Sequence, residues 1–170
     1  NREGIIIKPW KSPNYTPIEV SFEDCTFKSN ESGDTHSIGI RAEGEAKVQI
    51  NNCDFSDCHT AEIYLENGVK AYIKNCKFGN MSGKALFLDD SCKAKIEECK
   101  FDKCEKGAIT GDTGSEIKIL NSTITNSKNA AICFKHHCKF NIINCDIEKN
   151  DGNGINIASS KGNVKFCKIY

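Results

Sequence analysis

Asn52-Cys53-Asp54-Phe55, Asn75-Cys76-Lys77-Phe78 and Glu98-Cys99-Lys100-Phe101 are three copies of one short pattern, and they decide the fold. Asp24-Cys25-Thr26-Phe27 precedes them, while Asn121-Ser122-Thr123-Ile124, Asn144-Cys145-Asp146-Ile147 and Phe166-Cys167-Lys168-Ile169 follow. From Cys53 through Cys76, Cys99 and Ser122 to Cys145 every step is 23 residues; the step to Cys167 is 22, and the first, from Cys25, is 28. A fixed period of this length marks a repeat architecture. It specifies the scaffold more than the chemistry, because activity resides in sites carried on a fold.

Counted from the Cys/Ser position, the third residue before it is Phe22, Ile50, Ile73, Ile96, Ile119, Ile142 or Val164. The second after it is Phe27, Phe55, Phe78, Phe101, Ile124, Ile147 or Ile169. A further apolar pair follows ten and twelve positions on, in Ile63/Leu65, Leu86/Leu88, Ile109/Gly111, Ile132/Phe134 and Ile155/Ile157. Alternation of period two in short pieces predicts strands, about three per repeat. The asparagine before the cysteine suits a sharp bend, since Asn tolerates the left-handed backbone and its amide can bond along a stack. Asn52, Asn75, Asn121 and Asn144 would form that ladder, broken at Glu98 and absent at Asp24 and Phe166.

Three strands per turn predict an all-β protein, a right-handed parallel β-helix (solenoid) of about seven coils with about 23 residues each, stacked at about 4.8 Å. A leucine-rich repeat would need a leucine frame that this chain lacks. Residues 18–170 form the repeats. Residues 1–17 read as an opening coil and loop: Gly4-Ile5-Ile6-Ile7 matches the Gly-Ile-x-Ile strand of later coils, and a proline-punctuated stretch carries Trp10 across the first coil. The extra residues of the first repeat fall around Asn30 to Thr35, a polar segment suited to a protruding loop.

The run 144–157, Asn-Cys-Asp-Ile-Glu-Lys-Asn-Asp-Gly-Asn-Gly-Ile-Asn-Ile, resembles the repeat of the pectate-lyase-like superfamily, in particular its carbohydrate-binding and sugar-hydrolase (CASH) group. The resemblance extends over residues 18–170. It implies that an exposed strand face carries a substrate groove, with acidic residues binding calcium or acting as acid and base.

Lys+Arg and Asp+Glu balance at 23 each, so no global field draws the chain to nucleic acid or to an acidic membrane surface. No apolar run reaches the roughly 18 residues of a membrane span. A chain that opens on Asn1 without Met reads as a piece of a longer one, and its C-terminal coil as a surface for end-to-end self-association. Of the 11 cysteines, those at the repeated position point the same way in adjacent coils, which a disulfide does not suit, and the pairs Cys58/Cys104 and Cys92/Cys138 lie two coils apart, beyond disulfide reach. Free thiols favour the cytoplasm; sequons at Asn14, Asn30, Asn80 and Asn121 leave a secreted setting open. The cluster from Cys133 to Cys138, with His136 and His137, is expected to be a turn rather than a metal site, because Cys133 faces outward and Cys138 inward.

The outer face of the Ile-x-Ile strand carries the candidate binding residues Glu62, Tyr64, Glu66, Phe87, Asp89 and Asp112. One row runs Gly39, Tyr64, Phe87, Thr110, Cys133, Asn156; the next runs Arg41, Glu66, Asp89, Asp112, Lys135. Two exposed aromatics beside carboxylates are typical anchors for a partner. The expected function is a non-catalytic interaction module presenting this aromatic-acidic stripe to a protein or glycan, without cofactor or metal. The alternative, implied by the resemblance, is a polysaccharide lyase or glycoside hydrolase using Glu66, Asp89 and Asp112, with Ca²⁺ as cofactor. Against it stands the departure from the family pattern: the only arginines are Arg2 and Arg41, and no clustered Asp-Asp pair with His and Arg-x-Lys is present.

Overall fold

From Ile63 onward each full turn of the chain is three short strands joined by bends. The structure, a computed structural model, describes residues 2–9, 17–28, 37–56 and 63–170. The expectations for Trp10, the loop from Asn30 to Thr35, Cys58 and Glu62 lie outside the described residues.

All strand pairings are parallel and build three sheets. The first contains Arg2–Ile7, Ser37–Glu43, Ile63–Glu66, Leu86–Leu88, Ile109–Gly111, Ile132–Phe134 and Ile155–Ile157. The second contains Glu19–Glu23, Lys47–Asn51, Lys70–Lys74, Lys93–Glu97, Glu116–Leu120, Lys139–Ile143 and Lys161–Lys165. The third contains Thr26–Phe27, Asp54–Ser56, Lys77–Met81, Lys100–Cys104, Thr123–Thr125, Asp146–Glu148 and Lys168–Ile169. Strands adjacent in sequence therefore lie in different sheets, which is a parallel β-solenoid. The expected count of about seven coils is slightly high. About five turns have the regular length, between Cys53 and Cys167; the turns before them are longer, since Glu19 pairs with Lys47 and Arg2 with Ser37.

The bends have one physical cause. The residue before the Cys/Ser position is left-handed in every turn, with φ between 50° and 56° at Asp24, Asn52, Asn75, Glu98, Asn121, Asn144 and Phe166. Asn75 donates its amide to Asn52 Oδ1 at 2.9 Å, and Asn144 to Asn121 at 2.8 Å. Glu98 interrupts the ladder and faces Lys74 instead, at 3.6 Å. A second left-handed row lies at the C-terminal ends of the third-sheet strands, at Asn80, Lys103, Asn126 and Lys149. A third follows the first sheet, at Gly44, Asn67, Asp90, Thr113, His136 and Ser159.

Between the bends, alternate side chains point inward and stack on their equivalents. Phe27, Phe55, Phe78 and Phe101 form a column of nearly parallel rings with centroids 4.4, 4.9 and 4.7 Å apart. Ile50, Ile73, Ile96, Ile119 and Ile142 form a second fully buried column. Cys53, Cys76, Cys99, Ser122 and Cys145 are buried in a third. The ten described cysteines are free thiols. Cys138 is buried and Cys133 half-buried on the outer face, while His136 and His137 both sit at the left-handed corner.

Candidate functional site

The outward positions of the first sheet form two rows along the solenoid. Register places Arg41, Tyr64, Phe87, Thr110, Cys133 and Asn156 side by side. Glu43 lies level with Glu66. The row continues past the strand ends, where the amides of Asp89, Asp112 and Lys135 donate to Leu65, Leu88 and Gly111 carbonyls at 2.9, 2.8 and 3.0 Å.

This corrects the expected register of the first coil. Arg41, not Gly39, stands beside Tyr64, and Glu43, not Arg41, stands beside Glu66. The expectation placed Ile38-Gly39-Ile40 as the Ile-x-Ile strand of this coil, two residues too early. Counting back from the bend aligns Glu43-Gly44 with Glu66-Asn67, since Gly44 and Asn67 share the left-handed corner and the Gly44 amide donates to Glu66 O at 3.1 Å. Thr110 also departs from the expected exposed row, being only 4% accessible. Tyr64 and Phe87 are half-buried rather than fully exposed.

The result is a rail of two stacked rings with a cation at each end. The Arg41 guanidinium lies 5.4 Å from the centre of the Tyr64 ring. Tyr64 and Phe87 stack with centroids 5.2 Å apart. Lys84, from the bend before Leu86, places Nζ 4.3 Å from the centre of Phe87. Cations over ring faces are attracted by the quadrupole, by about 0.5–1 kcal/mol at exposed sites. Lys84 and Glu43 are additions that strand periodicity alone did not indicate; Lys84 lies in a bend, where the period-two pattern stops.

The carboxylates next to the rail are largely committed. Glu66 Oε1 accepts from Arg41 Nη2 at 2.6 Å, and Glu43 Oε1 lies 3.1 Å from Arg41 Nε. Asp112 Oδ1 is 2.5 Å from His136 Nδ1 and also accepts the Thr113 amide at 2.8 Å. Asp89 Oδ1 accepts the Asp90 amide at 2.8 Å. Burial pushes the Asp112 carboxyl up, but His136, the Thr113 amide and Lys135 outweigh it and hold the group below the usual aspartate range. Burial, then the charges of Glu66 and Asp89, push the Tyr64 phenol up. Burial and repulsion from Lys135 pull the Lys84 ammonium down.

These donors do not fit calcium. Ca²⁺ takes six to eight oxygens at about 2.3–2.6 Å, whereas Glu66 is turned to Arg41 and Asp112 to His136. Among the described residues no group of three or more His, Cys, Asp or Glu side chains is arranged to hold a metal ion.

Comparison with known families matches residues 4–168 to the right-handed β-helix region. The chain belongs to the right-handed β-helix family. No curated protein and no solved structure matches it. As a right-handed β-helix, the solenoid keeps equivalent side chains of successive coils in straight rows, which is how residues 23 apart, such as Tyr64 and Phe87, come to share one rail.

Proposed function

We propose that this β-helix is a non-catalytic interaction module that presents the Arg41–Tyr64–Phe87–Lys84 rail and its flanking carboxylates to a protein or glycan. The observation that carries the proposal is the ring stack itself. Two aromatic faces held 5.2 Å apart on an outer sheet face contribute little to the core, yet they are fixed in place by a cation at each end. Rigid aromatic anchors beside charged groups are what binding hot spots are made of. The hydrolase alternative asks for a carboxyl raised to serve as general acid; Asp112 is shifted the opposite way. The free thiols support a reducing compartment, the cytoplasm, as the setting.

The test is a glycan array and a panel of purified extracellular and cytosolic proteins, each probed with the parent chain and with Tyr64→Ser/Phe87→Ser. The module reading expects ligands bound by the parent to be lost in the double variant while the thermal midpoint moves by a few degrees at most. Equal binding by both would remove the rail from consideration. Adding millimolar CaCl₂ should leave the thermal midpoint unchanged; a calcium-dependent rise would favour the carbohydrate-active alternative.

A further inference from the structure

Balanced total charge conceals a segregated face. On the outside of the second sheet a groove with a volume of about 690 Å³ runs across five coils, from Lys70 to Lys161. Register aligns Lys70, Lys93, Glu116, Lys139 and Lys161 in one row. In the row beside it Lys95 and Lys118 are followed by Asn141 and Asn163. Six lysines and a single carboxylate line the groove, a formal excess of five positive charges on one side of a neutral chain. Glu116 is shared between Lys93 at 3.3 Å and Lys139 at 3.1 Å, and Lys95 is held by Glu97 at 2.7 Å. Lys70, Lys118 and Lys161 form no ion pair with any described residue.

Charge complementarity calls for a linear anion, because the lysines follow the solenoid axis for four coil spacings, about 19 Å. The lining narrows the class further. Bases and sugar rings dock flat on exposed aromatic faces, but the one ring in the groove, Phe140, is buried and stacked on Phe134 at 4.5 Å. Tyr72, beside Lys95 in the same row, has Lys95 over its ring at 5.2 Å and its hydroxyl donated to Glu97 at 2.9 Å. Nor does a guanidinium line the groove to grip a carboxylate in two-point fashion. What remains are ammonium point charges, which suit phosphate, and the amide pair in which Asn163 donates to Asn141 at 3.0 Å. The lysine row is also uneven, with Glu116 in its middle. Only a polymer whose anions are closer together than the coils can satisfy every lysine whatever its register. Phosphates joined through single bridging oxygens meet that condition.

We infer that the lysine groove of the second sheet binds inorganic polyphosphate. This site is on a different sheet from the rail and stands independently of the module reading.

The experiment uses the full chain and end-labelled long-chain polyphosphate, with affinity followed by fluorescence anisotropy at several salt concentrations. The expected result is binding that weakens linearly in log–log form with salt, as counterion release requires. Lys70→Gln/Lys118→Gln/Lys161→Gln should weaken it by at least about tenfold and reduce the salt slope by about three, one per lost phosphate contact. Lys77→Gln/Lys100→Gln/Lys168→Gln on the third sheet should retain parent affinity, and Glu116→Gln should tighten binding by about threefold or more. Thermal melts of each variant confirm that the surface changes leave the fold intact. Parent-like affinity in the groove triple variant, equal loss in the third-sheet triple, no tightening in Glu116→Gln, or equally tight binding of a sulfated glycan or single-stranded oligonucleotide of matched charge would each overturn the proposal.

Discussion

Each cysteine of the repeat is a hydrogen-bond donor as well as a small core residue. Cys53, Cys76, Cys99, Cys145 and Cys167 direct their thiols at the carbonyl two residues back, at 3.2 to 3.3 Å. Ser122 does the same with its hydroxyl at 2.8 Å and accepts the Cys99 amide at 3.1 Å. That is why serine can replace cysteine there without breaking the ladder. Burial pushes the thiols of Cys53 and Cys145 up to about 11. A raised acid stabilises the fold fully below its unfolded pKa, about 8.5 for cysteine, and the contribution is lost as pH rises toward the folded value. Thermal midpoints should therefore fall between pH 8.5 and 11, and Cys145→Ser should flatten that limb; an unchanged slope would show the thiol to be solvated. Phe166 is the misfit of the bend row, left-handed at φ 56° and 84% exposed. A left-handed conformation costs a residue with Cβ about 1–2 kcal/mol, and Asn relieves it. Phe166→Asn should raise stability by about 1 kcal/mol in urea unfolding, and a loss would show that the ring packs in a way the structure does not display.

At the scale of the strand, large and small side chains compensate between neighbouring coils. Gly111 breaks the aliphatic row, and the structure shows why: a Cβ there would lie 2.3 Å from Ile117 and 3.1 Å from Phe134, its neighbour in register. Phe140 is accommodated likewise by Gly162, where a Cβ would meet the Phe140 ring at 2.5 Å. Such exchanges of volume between adjacent coils are invisible to a single-repeat pattern. The columns themselves were legible, because a buried position repeated every 23 residues leaves an unbroken apolar row. Phe78, between Phe55 and Phe101, tests that packing. Phe78→Ala should cost about 3–5 kcal/mol by transfer and cavity terms, and a cost below about 1 kcal/mol would mean the ring is not enclosed.

Over the whole molecule, sequence reading succeeds where the period is strict and fails where it is not. The three parallel sheets, the buried Cys/Ser column and the left-handed asparagines follow from one repeated spacing. The position of Arg41 did not, because the first repeat is longer and only the bend at Gly44 fixes its phase. Tyr64, Phe87 and the row of Glu66, Asp89 and Asp112 were legible as a strand face; the cation at each end of the ring stack and the internal partners of the carboxylates were not, since they depend on side chains from bends and from the coil before. The charge segregation of the second sheet escaped for a different reason. Net charge sums over the chain, and only register shows that Lys70, Lys93, Lys139 and Lys161 share one row.

All of this rests on coils that stack laterally at one repeat per step. Nuclear Overhauser contacts between aromatic rings in an isotope-labelled sample test it most directly. The account predicts cross-peaks from Phe78 to both Phe55 and Phe101 and from Tyr64 to Phe87, with none between Phe55 and Phe101, which are two coils apart. A direct Phe55–Phe101 contact, or the absence of the Phe78 and Tyr64 contacts in a folded sample, would contradict it.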